Sequence, residues 1–302
     1  MRVAFFDCFS GISGDMCLGA LVGAGLDFEL LNDELSKLPV EGYRLRYEKT
    51  EYSGIFAVNL FVDLDDSAHA HRHLRDIEEI IGKSTLPEEV KEKSKAVFRC
   101  IALAEAKVHN TTVDHVYFHE VGAIDTIIDV VGTVLGLYAL GVEKVFVSPL
   151  PMGKGSVQCM HGIIPLPAPA TLEILCQKPI PVYGTDIDME LVTPTGAALA
   201  ATLGEYYGQM PLMTISRVGY GAGKKKMLRP NMLRIVTGDL IELSSGAGDT
   251  CLQHSATHHA GHSHPEVSGE AIMQALYKQG PDMIDINNGS RKADFVFHKK
   301  CC

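Results

Sequence analysis

Apolar positions change their spacing several times along the chain, and each change marks an element. Residues 2–7 are almost continuously apolar, the pattern of a strand buried on both faces. They run into a small-residue loop over 8–15, and 16–24 regain helical composition, so a strand, a tight turn and a helix start follow one another. Residues 27–38 form a second helix stopped by Pro39. Residues 43–51 and 55–64 alternate about Ser53-Gly54, which predicts a hairpin. Helices are expected over 74–81, 88–109, 122–140, 170–176 and 196–203, and strands over 144–148, 212–218 and 232–237. This irregular interleaving predicts an α+β fold, a mixed sheet with packed helices, over residues 1–243. Residues 244–302 show no sustained period, and a poorly ordered C-terminal tail is expected there.

Composition narrows the function. A chain of 302 residues holds one large or two moderate domains, and 46% hydrophobic with 21% charged residues excludes collagen-like or wholly disordered classes. A net charge of −10 repels phosphate backbones, and the absence of Trp weakens base stacking, so no nucleic-acid partner is expected. The longest apolar stretch, 124–142, is interrupted by Asp125, Asp129, Gly132, Gly136 and Gly141, which predicts a buried helix and no membrane span. Eight scattered cysteines behind a start without a secretory pattern point to reduced thiols and a cytoplasmic location.

Chemistry concentrates in a few places. His115 and Tyr117-Phe118-His119-Glu120, followed by Asp125 and Asp129, gather imidazoles and carboxylates that suit nickel or zinc; equally, Asp125 caps the apolar helix and the histidines lie at a strand edge. His69, His71 and His73 alternate in a polar loop over 63–73 behind Asp63, Asp65 and Asp66, the composition either of a metal-collecting segment or of a solvated linker. Ser10, Gly11, Ser13, Gly14 and Asp15 form either an anion-binding turn or an ordinary tight turn. Gly219-Tyr220-Gly221-Ala222-Gly223 with Lys224, Lys225 and Lys226 is a second candidate anion site, and His161 a candidate ligand or general base.

In order, FDCFSGISGDM, HRHLRDI, HEVGAIDTIIDVVG, HGIIPLPAPATLEIL, ELVTPTGAA and GYGAG…PNMLR resemble the LarC family, the nickel-insertion proteins of nickel-pincer cofactor biosynthesis, over about residues 1–240. The resemblance implies a cytoplasmic lyase-type nickel chelatase that inserts nickel into pyridinium-3,5-bisthiocarboxylic acid mononucleotide in a CTP-dependent cyclometallation, with Mn or Mg accompanying CTP. It implies phosphate binding by Ser10, Gly11, Ser13, Gly14, Asp15 and Lys154. Nickel delivery would fall to His69, His71, His73, His119, Glu120 and Asp125, and Glu120 or His161 would take the ring proton. Where family members usually read His-Phe-His-Glu, this chain has Tyr117-Phe118-His119-Glu120, and its residues 244–302 do not resemble the family's C-terminal, CTP-associated domain. A homo-oligomer is an open expectation. The competing classes are a nickel-binding accessory or storage protein without CTP turnover and a metal-dependent phosphohydrolase.

Overall fold

The structure, a computed structural model, describes residues 1–65, 72–118, 124–160, 162–227 and 229–241. His69, His71, His119, Glu120, His161 and the whole tail expectation lie outside the described residues.

Strand β1 (Arg2–Asp7) stands near the middle of the sheet with four successive buried residues, as its unbroken apolar run requires. Helices α1 (Gly14–Gly23) and α2 (Phe28–Leu35) follow. The carboxylate of Asp27 caps α2 by accepting from the N–H groups of Glu29 and Leu30 at 2.9 and 3.2 Å. That helix ends at Leu35 with Ser36 as its C-cap, three residues ahead of Pro39 and short of the 27–38 expected. Strands β2 (Tyr43–Tyr52) and β3 (Ile55–Leu64) form the expected hairpin, with Tyr52 opposite Ile55. Ser53 and Gly54 both take positive φ, 54° and 82°, the requirement of a tight turn whose twist matches the strands.

Helices α3 (Leu74–Lys83), α4 (Glu88–Val108) and α5 (Ile124–Ala139) come next, then the short strands β4 (Lys144–Val147), β5 (Leu150–Met152), β6 (Ser156–Cys159) and β7 (Gly162–Pro165). The chain continues through α6 (Pro169–Leu175), β8 (Val182–Gly184), α7 (Pro194–Leu203), β9 (Gly204–Tyr207), β10 (Met213–Ala222) and β11 (Met232–Leu240). The main sheet has the order β2-β3-β10-β11-β1-β4-β9. It is mixed: β1 pairs antiparallel with β11 and parallel with β4, and β3 pairs parallel with β10. The α+β reading holds for the described residues.

Two expectations are corrected. Helix α7 starts at Pro194 rather than Gly196, since a proline's missing N–H has no partner to lose at the first helical position. The glycine run 219–223 is no free anion loop, because β10 continues to Ala222. A methyl on Gly219 or Gly221 would lie 1.9 Å from the carbonyl oxygen of Ala20 or 1.8 Å from that of Met16, so these glycines let α1 lie directly on the sheet. Apolar residues of β1, β11, α1 and α5, among them Phe6, Ile235, Leu18, Leu21, Ile127 and Val131, share one core. Truncating a buried leucine there, such as Leu18, costs about 2–5 kcal/mol.

Candidate functional site

The carboxylate end of β1 is where the chemistry begins. Asp7 pairs with the guanidinium of Arg234 on the neighbouring strand, and the N–H of Cys8 donates to Ser148 Oγ at 2.9 Å just beyond β4. The loop then inserts beside α7: the Ile12 N–H donates to the Leu191 carbonyl at 2.9 Å, and the Thr193 N–H donates back to the Ile12 carbonyl at 3.2 Å. Gly11 has φ +112°, and a side chain there would collide with the Leu191 carbonyl, so both conformation and space demand glycine.

Asp15, in the first turn of α1, accepts from Ser13 Oγ and from the Met16 N–H, and its other oxygen lies 3.2 Å from Lys224 Nζ. Asp129 of α5 abuts Gly14, and its Oδ1 is shut off from solvent without a hydrogen-bond partner. Burial pushes the Asp129 carboxyl well above the usual carboxylate range; the charges of Asp15 and Asp125 push the same way and Lys224 opposes them. Asp125 itself is exposed and accepts from the Thr126 N–H at 2.8 Å. Asp15, paired with Lys224, is thus the charged carboxylate of the 10–15 loop, beside the buried Asp129 carboxyl. Lys154 sits after β5, half-exposed and ion-paired with Asp186. Among the described residues, no group of three or more His, Cys, Asp or Glu side chains converges as a metal cage.

His73 is held more firmly than a place in a polar loop suggests. It caps α3, and its own N–H donates to Asp76 Oδ2 at 2.8 Å. Its ring Nδ1 lies 2.8 Å from the Val116 carbonyl, and its ring packs against that of Tyr117 at 3.8 Å between centroids, tilted by 48°. Arg72 and Phe118 form an antiparallel bridge beside this contact, the Phe118 N–H donating to the Arg72 carbonyl at 3.2 Å. The end of the 63–73 segment is thus fastened to the stretch that leads to His119. His115, in the short 3-10 turn Val113–His115, has its Nδ1 2.7 Å from Thr112 Oγ1.

Tyr117 and Phe118 also line a cavity of about 560 Å³, a volume suited to a small organic molecule. Its walls come from the end of α4 (Glu105, His109), from Thr126 of α5, from Gln158 and Cys159 of β6, and from Thr193 and Thr195 at the start of α7. His109 Nε2 and Glu105 Oε2 approach to 3.2 Å one turn apart on α4. This cavity escaped sequence reasoning, because its walls are drawn from segments between residues 105 and 195.

Fold and site define an α+β protein that fastens an imidazole-bearing segment beside a small-molecule cavity. The chain belongs to the family described as nickel insertion protein, whose model matches residues 4–284. It is 49% identical over 246 residues to a protein of Desulfitobacterium hafniense (strain DSM 10664 / DCB-2) named pyridinium-3,5-bisthiocarboxylic acid mononucleotide nickel insertion protein, covering 82% of this chain and 60% of that one. Proteins of the same name in Geobacillus kaustophilus and Acetivibrio thermocellus are 45% and 40% identical, over 81% and 93% of this chain and 62% and 70% of theirs. The chain thus spans about three fifths of the length of the Desulfitobacterium relative. No solved structure matches it. Among the described residues no helix is long and apolar enough to cross a membrane.

Proposed function

We propose that this chain carries out nickel insertion into pyridinium-3,5-bisthiocarboxylic acid mononucleotide, as a lyase-type chelatase of nickel-pincer cofactor biosynthesis in the cytoplasm. The observation that supports this most strongly is the fastening of His73 to Val116 and Tyr117, at the wall of a cavity large enough for a pyridinium mononucleotide. In this reading nickel is the cargo. It forms bonds to the two thiocarboxylate sulfurs and to one ring carbon, which gives up its proton to Glu120 or His161 as general base. Ligands that deliver the metal are drawn from His69, His71, His73, His119, Glu120 and Asp125; imidazole and carboxylate hold nickel, and thiocarboxylate sulfur offers a softer destination.

Two parts of the reading meet resistance from the geometry. The backbone N–H groups of Ser13, Gly14 and Asp15 at the start of α1 favour an anion, and the Asp15 carboxylate, paired with Lys224, opposes one. Phosphate binding by Ser10, Gly11, Ser13, Gly14 and Asp15 therefore needs the charge of Lys224 or a cation beside it, and Lys154 joins only after leaving Asp186. CTP with Mn or Mg is what the resemblance implies, and the glycine run 219–223, the second candidate anion site, packs against α1 through Gly219 and Gly221. No step here is routed through CTP.

Occupancy of the cavity is testable through Cys159, a free thiol in its wall. The bisthiocarboxylate mononucleotide should protect Cys159 from iodoacetamide while leaving exposed Cys176 reactive. Equal labelling of Cys159 with and without the mononucleotide contradicts this assignment of the cavity.

A further inference from the structure

The cavity between the end of α4 and the start of α7 is lined by carboxylates of one sign. Glu105 and Glu190 both face it, His109 stands beside Glu105, and among the described residues no lysine or arginine lines it. Glu105 shares its charge with His109, whose Nε2 lies 3.2 Å from Glu105 Oε2. Glu190 belongs to a separate, tightly held stretch. The Met189 carbonyl oxygen before it is so close to Gly153 that a methyl there would come within 1.8 Å, and the Leu191 carbonyl after it accepts from the Ile12 N–H at 2.9 Å. Both carboxylates are half-buried, and the other polar walls include Thr126, Thr195 and Gln158.

Such a wall sorts the parts of a pyridinium mononucleotide by charge. Carboxylates repel a phosphate, and no arginine or lysine of the described wall offsets them. A pyridinium ring keeps its positive charge at every pH, so it cannot enter by losing a proton and must be met by a counter-charge. Ribose hydroxyls donate to carboxylates, which only accept, and a flat cationic ring suits the face of Tyr117. We infer that the cavity takes the cationic N-ribosylpyridinium portion of its ligand, with Glu190 and Glu105 meeting the ring charge and the ribose hydroxyls, and leaves the phosphate outside. The inference rests on the assignment of this cavity to the mononucleotide and settles which end enters, since the volume alone admits either.

The test measures binding alone, on the full chain without nickel or CTP, by calorimetry and by the rate at which iodoacetamide labels Cys159 in the cavity wall. Three probes separate the parts of the ligand. Nicotinamide riboside is a ribosylpyridinium cation without phosphate, its 1,4-dihydro form has a neutral ring, and nicotinamide mononucleotide adds the phosphate. The riboside should protect Cys159 and bind at least about tenfold more tightly than its dihydro form, the scale of one desolvated cation contact. Glu190→Gln, of nearly the same shape, should remove most of that preference and weaken riboside and mononucleotide alike. Equal affinity of the parent chain for the two ring forms, or no protection of Cys159 by the riboside, overturns the inference. So does a mononucleotide that binds Glu190→Gln more tightly than the parent, the sign of a phosphate lying against that carboxylate. A loss in Glu190→Gln that leaves the ratio between the ring forms unchanged overturns the assignment of Glu190 to the ring charge. Should Glu190→Gln not fold, the two ring forms on the parent chain still decide the matter. A chain that prefers the cationic ring here and forms no nickel adduct fails the insertion reading and keeps this one.

Discussion

Gly14 and Asp129 meet so closely that a methyl group on Gly14 would lie 2.7 Å from both Cβ and Oδ2 of Asp129. Helix α1 can begin against α5 only because position 14 has no side chain, and the contact also encloses Asp129 Oδ1. Gly14→Ala should therefore destabilise the fold by about 1–3 kcal/mol, the range of overpacked cores, measured by urea denaturation.

Asp129 gives this contact a pH dependence. Because its carboxyl titrates well above the usual range in the folded chain, the native state keeps a proton that the unfolded state has already released above about pH 4. Between those two values the native state binds more protons, so stability falls as pH rises. Asp129→Asn, which imitates the protonated form, should flatten that fall and stabilise the chain at neutral pH. A variant whose stability declines with pH as steeply as the parent's would show that Asp129 is not the group responsible.

The close seating of α1 on the sheet separates two glycines of otherwise similar appearance. Gly221→Ala places a carbon 1.8 Å from the Met16 carbonyl oxygen, a backbone atom that cannot swing aside, and should cost about 3 kcal/mol or more. Gly82, exposed in α3, has only the mobile Lys95 ammonium within 4 Å, so Gly82→Ala should stabilise by about 0.5–1 kcal/mol through helix propensity. Denaturation midpoints of the two variants should move in opposite directions.

Thiol chemistry should divide along burial. Cys8 and Cys17 are fully enclosed; burial pushes both thiols up, and at Cys17 the neighbouring Cys8, Asp129 and Asp15 add to it. Alkylation of the native chain should mark exposed Cys176 and spare Cys8 and Cys17 until denaturant is added. Since the unfolded thiols ionise near about pH 8.5 and the folded ones do not, stability should also drop as pH rises beyond that point.

How much of this was legible in the sequence depends on how local each feature is. The β1-turn-α1 unit and the hairpin at Ser53-Gly54 follow from neighbouring residues alone, and both are present. The glycine run at 219–223 misled because the space it leaves is filled by the backbone of Met16 and Ala20, some two hundred positions away in sequence. Strands β5 to β9 span three or four residues each, too few to display a period. The His73 contact joins residues 43 apart, and the alternation of His69, His71 and His73 carries no sign that the last of them is fastened to Val116 and Tyr117.

The measurement closest to the central claim is mass spectrometry of the mononucleotide after incubation with the purified full chain, nickel chloride and CTP. The account expects, with the family's C-terminal domain supplied, a product heavier by one nickel and lighter by the displaced protons. It also expects that product to vanish in His119→Ala or Glu120→Gln, assayed with the family's C-terminal domain supplied, at any nickel concentration. Nickel bound to the chain with the mononucleotide unchanged, even with that domain supplied, would contradict insertion and leave an accessory or storage protein that holds the metal without turning over CTP.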